Sequence, residues 1–125
     1  MFLKKAPWNQ LNDAQGQAVK QTNGPLLILA GAGTGKTRVI TTRIAFLVNQ
    51  KIDPSSILAV TFTNKAANEM RERAGQMIRK DDAKHLTICT FHSLCVRLLR
   101  LSIEKLGYKK NFTIYSGSDQ SGLIK

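Results

Sequence analysis

No apolar run in this sequence approaches the ~18–20 residues that cross a bilayer, so a helical membrane protein is excluded. The first ten residues, MFLKKAPWNQ, hold no apolar stretch of the secretory kind. Cysteine is scarce: Cys89 and Cys95 stand at a C-x5-C spacing that fits no common metal or redox motif. A His-Cys pair alone supplies too few ligands for zinc. A disulfide scaffold and a zinc module are thereby excluded, and both thiols are expected to be reduced core residues of a cytoplasmic protein. Acids are also few, 8 against 19 Lys plus Arg, for a net charge of +11 and a pI near 10.1. That excess favours a polyanionic partner without naming one. Hydrophobic residues make up 42% of the 125, too many for a disordered basic tail and enough for the core of one modest domain.

There is no internal repeat or low-complexity segment; short apolar runs alternate with longer amphipathic ones. Leu26–Ala30, entered through Gly24-Pro25, reads as a buried strand. Lys36 to about Asn49 reads as a helix, with Val39, Ile40, Ile44, Leu47 and Val48 at helical spacing. After Asp53-Pro54-Ser55-Ser56, residues Ile57–Phe62 form a second expected strand. A helix is expected over 64–79, with Ala66, Ala67, Met70, Ala74, Met77 and Ile78 on one face and Glu69 set to pair with Arg73 at i,i+4. Lys80–Lys84 reads as a polar turn and Leu86–Thr90 as a third strand. Phe91 to about Leu106 reads as a helix closed by Gly107. Phe112–Tyr115 is a candidate fourth strand, and Ser118 a candidate cap for a last helix. This alternation is that of an α/β fold, a parallel sheet with flanking helices, whose ligands sit at the carboxyl ends of the strands.

The chemistry starts at Ala30-Gly31-Ala32-Gly33-Thr34-Gly35-Lys36-Thr37, which leaves the first expected strand and opens the first long helix. The spacing is that of a P-loop, with Ala30 where the usual pattern has its first glycine. Glycines at 31, 33 and 35 let the backbone turn and bring N–H groups against phosphate oxygens. The following helix aims its positive end at the same anion. Lys36 would reach the β- and γ-phosphates of ATP, and the Thr37 hydroxyl would ligate Mg²⁺.

Three further segments stand in order around the P-loop: Leu11-Asn12-x-x-Gln15-x-x-Ala18-Val19 ahead of it and of Arg38, then Thr61-Phe62-Thr63-Asn64-Lys65-Ala66-Ala67, then Thr90-Phe91-His92-Ser93. With them the chain resembles the start of superfamily 1 DNA helicases of the Rep/UvrD/PcrA type. The resemblance implies a partial RecA-like P-loop NTPase domain. Residues 1–10 would be an N-terminal extension, 11–117 the first segment of the ATP-binding domain, and 118–125 the start of a helical insertion. It implies that Gln15 meets the adenine edge, with Gln17 a close competitor, and that Arg38 lies near the nucleotide beside Ala32, Gly33, Thr34, Gly35, Lys36 and Thr37. It implies single-stranded DNA contacts by Thr61, Phe62, Thr63 and Asn64, where Phe62 offers a face for a base, and by Thr90, Phe91 and His92. Arg97, Arg100, Lys105, Lys109 and Lys110 read as solvated face and diffuse positive field.

In such helicases the motor also needs an Asp-Glu pair ending a strand and arginines that stabilise the transferring phosphoryl group. The acids Asp13, Asp53, Glu69, Glu72, Asp81, Asp82, Glu104 and Asp119 supply no such pair. The resemblance therefore implies an N-terminal fragment, not itself an active ATPase. Its parent would couple ATP hydrolysis to movement along single-stranded DNA, expected 3′→5′, and unwind duplex at single-strand/duplex junctions in replication or repair. The helicase part of a RecB- or AddA-like recombination nuclease, and a non-catalytic nucleotide- or nucleic-acid-binding module, are the alternatives. A nucleotide kinase would not need residues 61–67 and 90–93.

Overall fold

The computed structural model describes residues 6–124, so the first five residues of the expected N-terminal extension, and Lys125, lie outside it. The described chain forms two compact units that meet in sequence between Thr90 and Phe91. The first unit runs through a short 3-10 turn at Pro7–Gln10, then α1 (Asp13–Lys20) and α2 (Lys36–Asn49). A 3-10 turn at Pro54–Ser56 leads into β1 (Leu58–Thr61), α3 (Asn64–Met77), α4 (Lys80–His85) and β2 (Thr87–Thr90). In the second unit α5 (Phe91–Ser102) passes into a 3-10 turn, Ile103–Leu106, and α6 spans Gly117–Leu123.

The helices start where side chains can replace missing backbone partners. Asn12 caps α1 in a reciprocal box with Gln15, and the Thr63 hydroxyl caps α3 by accepting from the Ala66 amide. β1 and β2 are parallel, with Leu58 opposite Thr87 and Thr61 opposite Thr90. Ile44 of α2, Ile57, Ala59 and Ile88 of the sheet region, and Ala67, Met70 and Ala74 of α3 form one buried cluster, flanked by Leu47, Val48 and Leu86. Each large aliphatic side chain sealed there contributes roughly 1.5–3 kcal/mol. The alanines at 67 and 74 let α3 lie close over the strands. Two arginines tie the layers together: Arg43 Nη1 of α2 donates to the Ala18 carbonyl at the end of α1, and Arg71 Nη2 of α3 donates to the Ile88 carbonyl of β2 at 2.7 Å.

The fold is mixed α/β with helices flanking a parallel sheet, as the alternation of segments predicts. Several local expectations change. Leu26–Ala30 is not a buried strand: Leu27 and Leu29 are 80% and 87% exposed, and the run joins no ladder. An apolar strand buried on both faces needs neighbours on both edges, and among the described residues none pairs with it. Phe112–Tyr115 is likewise unpaired, with Ile114 and Tyr115 exposed. Lys80–Lys84 is helical rather than a turn, with Asp81 and Asp82 in the first turn and Lys84 and His85 in the last, an order that suits the helix dipole. The cap of the last helix is Ser116, not Ser118; the Ser116 hydroxyl and Asp119 carboxylate form a capping box and leave Ser118 inside the first turn. Cys89 is buried as expected, but Cys95 is exposed. Glu69 and Arg73 form no ion pair; among the described residues the pairs are Lys84–Asp81 and Lys110–Glu104.

Candidate nucleotide and nucleic-acid site

The P-loop turn is built from sequence-local bonds. The Thr34 hydroxyl donates to the Gly31 carbonyl at 2.6 Å, closing the turn across the backbone. Gly33 (φ 74°) and Gly35 (φ 82°) take left-handed conformations that a side chain disfavours. Gly35 is also the N-cap of α2, so the chain enters the helix directly at Lys36 and Thr37. The first amides of α2 and the Lys36 ammonium therefore belong to one helical turn, an arrangement suited to an anion. Lys36 is exposed and Thr37 half-buried.

Gln15 reaches this turn from α1. Its Nε2 donates to the Thr34 carbonyl at 3.2 Å, while its Oε1 accepts from the Asn12 amide at 3.3 Å and its own amide donates to Asn12 Oδ1 at 2.9 Å. One residue thus closes the cap of α1 and fixes the tip of the P-loop. A Cβ on Gly35 would lie 3.4 Å from that Nε2. Gln17 is exposed and makes no such bond, so only Gln15 of the two candidates meets the loop. Around Gln15, Gly31, Thr34, Lys36 and Val39 lies a cavity of about 320 Å³.

Arg38, one residue beyond Thr37, points elsewhere. Its Nη2 donates to the Gln10 carbonyl at 3.4 Å, and it lines a larger cleft of about 740 Å³ between α2, α3 and the Pro7–Gln10 turn. That turn is fixed by Trp8 packing edge-on to Phe46 of α2 at 5.3 Å. The cleft was not foreshadowed by the sequence, because its walls come from segments at least 28 residues apart.

The expected DNA-contacting residues sit at the strand ends. Thr61 and Thr90 are register partners at the carboxyl ends of β1 and β2, and both are buried. Thr61 Oγ1 donates to the Thr63 carbonyl at 3.0 Å, which turns the chain sharply out of β1. Phe62 is thrust outward at that turn and is 88% exposed, while Thr63 and Asn64 are exposed at the start of α3. Phe91 and His92 begin α5 in the second unit and are exposed. The aromatic that follows β1 is thus a surface residue and not a core one.

The UvrD/REP helicase N-terminal domain matches residues 11–125. The chain belongs to the UvrD/Rep helicase family. It is 52% identical over 118 residues to the ATP-dependent DNA helicase PcrA of Staphylococcus aureus, in strains Mu50 and NCTC 8325 among others. It is 50% identical over 116 residues to PcrA of Staphylococcus epidermidis. These alignments cover 94% and 92% of this chain but only 16% of each relative. The chain therefore spans about a sixth of the length of the curated relatives it matches, and the family assignment expected from the four motifs holds. No helix among the described residues is long and apolar enough to cross a membrane.

Proposed function

We propose that this chain is the ATP-binding first segment of a DNA helicase that moves on single-stranded DNA, with 3′→5′ polarity, and opens duplex at junctions in replication or repair. The observation that carries the reading is the P-loop turn, in which two left-handed glycines and the Thr34–Gly31 bond deliver the chain to the N-terminus of α2 at Lys36 and Thr37. Ala32 to Lys36 would wrap the phosphates, with Lys36 countering charge at the β- and γ-positions. Thr37 supplies a hydroxyl oxygen, the donor type that Mg²⁺ accepts, and the metal when bound would neutralise phosphate charge. Gln15 would meet the adenine edge by exchanging its bond to Thr34, which would make the loop tip responsive to the base. Thr61–Asn64 and Thr90–His92 would contact single-stranded DNA, the exposed Phe62 by stacking.

Residues 11–117 are assigned to the first segment of the RecA-like domain and 118–125 to the start of an insertion. Hydrolysis and unwinding are assigned to a longer polypeptide, because the described residues include no Asp-Glu pair ending a strand. In that polypeptide further strands would flank Leu26–Ala30, and the rest of the helicase is the partner this surface requires.

The test is ATP and DNA binding by the 125-residue chain. Mg²⁺-dependent ATP binding lost in Lys36→Ala, without DNA-stimulated turnover, is the expected result. Absence of ATP binding would overturn the phosphate-site assignment. Steady DNA-stimulated turnover that Lys36→Ala abolishes would overturn the assignment of catalysis to a longer chain.

A further inference from the structure

The connector between α1 and the apolar run Leu26–Ala30 carries a reactive pair that the phosphate-site reading leaves unused. It runs Gln21-Thr22-Asn23-Gly24-Pro25, and all of these residues are exposed. The chain bends at Asn23 and Gly24, and Gly24 takes φ 75°, a left-handed conformation that suits glycine. A turn over Thr22–Pro25 would close on the amide of its last residue, but proline has no N–H to offer. Accordingly, among the described residues, the Gly24 amide and the Asn23 side chain make no hydrogen bond. A Cβ on Gly24 would meet nothing within 4 Å, so the space beside it is open.

An asparagine followed by glycine is set for an internal reaction. The Gly24 nitrogen attacks the carbonyl carbon of the Asn23 side chain and forms a new C–N bond, closing a succinimide ring. The bond from that carbon to Nδ2 breaks, and ammonia leaves with the proton given up by the Gly24 nitrogen. Water then opens the ring at either carbonyl, giving aspartate or isoaspartate, and nothing besides water is consumed. Glycine matters because a side chain on the attacking residue crowds the approach. The free amide matters because a nitrogen committed to a buried hydrogen bond would have to give it up first. Of the seven asparagines, only Asn23 precedes a glycine. Asn12 Oδ1 is held by the Gln15 amide and Asn68 Oδ1 by Arg71 at 2.7 Å, bonds that keep each carboxamide away from the nitrogen of the next residue.

We infer that Asn23-Gly24 is a self-modification site of the folded chain, converting through a succinimide to aspartate and isoaspartate in the link between α1 and the P-loop turn. Either product lowers the net charge by one from +11. Isoaspartate also routes the main chain through the former side chain and adds a methylene to it. That extra length falls between the helix whose Gln15 Nε2 donates to the Thr34 carbonyl and the loop which that bond fixes. The chemistry is that of the peptide itself and stands whether or not a nucleotide binds.

The experiment incubates the chain at neutral and at mildly alkaline pH, folded and in urea, with circular dichroism checking the folded sample. Trypsin cleavage after Lys20 and Lys36 isolates Asn23 in a peptide with no other asparagine. Mass spectrometry reads the exchange of NH₂ for OH, and electron-transfer fragmentation separates isoaspartate from aspartate. The folded chain should convert this peptide at a rate within about threefold of that in urea, as expected of a segment that needs no opening. Conversion should be faster at the higher pH, yield isoaspartate beside aspartate, and precede that of every other asparagine. Gly24→Ala should slow it in urea, where strain in the folded turn plays no part, and Asn23→Gln should leave the peptide unchanged over the same time. An Asn23 that converts in urea but stays intact in the folded chain would overturn the inference, because the fold would then protect the turn. So would aspartate without isoaspartate, or a rate indifferent to Gly24→Ala, either of which would mean direct hydrolysis by water. Earlier conversion of a different asparagine would overturn it as well.

Discussion

Replacing the three P-loop glycines one at a time with alanine should separate conformational from steric demand. Gly35 has φ 82° and ψ 26°, a left-handed conformation that costs an L-residue about 1–2 kcal/mol. Part of this is offset, by about 0.4–1 kcal/mol, because alanine also restricts the unfolded chain. The added Cβ would meet Gln15 Nε2 at 3.4 Å and Arg38 Cβ at 4.0 Å, which is ordinary contact and adds little. Gly35→Ala should therefore lose about 1 kcal/mol, and it should reach the whole first unit, because Gly35 caps the helix carrying Val39, Ile44 and Ala45 into the core. Gly33→Ala, with φ 74° and open space around its Cβ, should lose a similar amount from strain alone. Gly31 has no positive φ, and its Cβ would sit 3.8 Å from Thr34 Cγ2, so Gly31→Ala should stay within about 0.5 kcal/mol of wild type. Urea unfolding followed by circular dichroism measures all three at constant slope. Gly35→Asn should recover part of the loss, since asparagine tolerates this region. A Gly31→Ala variant as unstable as Gly35→Ala, or a Gly35→Ala variant with the wild-type midpoint, would refute the reasoning.

Phe62→Ala should weaken binding to short single-stranded DNA by about 1–3 kcal/mol while leaving the urea midpoint almost unmoved, because the ring is exposed; affinity should fall steeply with salt in both proteins, and an unchanged affinity would remove Phe62 from the interface. Arg71→Met should lower stability by about 1.5–3 kcal/mol, since it removes the donor to the Ile88 carbonyl and the 2.7 Å bond to Asn68 Oδ1; a neutral result in urea would mean that water replaces the guanidinium at the sheet edge. Asp53 is held below the usual carboxylate value of 3.8 by the Ser55 amide and then its side chain, and Asp119 by the Ser116 hydroxyl and then its amide. A depressed folded pKa gives stability that is present above the ordinary value and lost as pH falls through the folded one. Both carboxyls should thus titrate below pH 3.8 by carboxyl-resolved NMR, and a midpoint at or above it would contradict the capping bonds.

Sequence periodicity anticipated the elements whose reasons are local. α2 begins and ends where Lys36 and Asn49 suggest, α3 starts behind its Thr63 cap, and Gly107, with φ 82°, terminates the helix before it. The P-loop turn belongs to the same class, being closed by contacts a few residues apart. Ser116 escaped notice because Ser118, two residues on, has the same side chain; only the carboxylate three residues after the cap, Asp119, separates them. Arg73 and Gln76, on the α3 wall of the larger cleft, escaped notice for a different reason. They read as the polar face of an amphipathic helix, and only the fold sets that face opposite Arg38.

Leu26–Ala30 shows where local reasoning stops. Its exposure alternates with period two, Leu27 and Leu29 turned outward and Leu26 and Ile28 more covered, which is how a strand presents its side chains. Yet a strand is a relation between two segments, and its backbone groups find ladder partners only in a neighbour. The observed sheet indicates where neighbours are accommodated. The Thr87 amide donates to the Ile57 carbonyl, so Thr87 and Cys89 face β1, and Ile88 and Thr90 face the opposite edge. There the Arg71 guanidinium occupies the Ile88 carbonyl, as it would at the outer border of a sheet. On β1 the edge of Leu58 and Val60 has no strand beside it among the described residues. The phosphate turn depends on neither edge: a hydroxyl–carbonyl bond, two left-handed glycines and one amide from α1 shape it. The geometry of this turn therefore needs no ladder partner beside Leu26–Ala30, and Mg²⁺-dependent ATP binding without turnover is the outcome expected of the 125-residue chain.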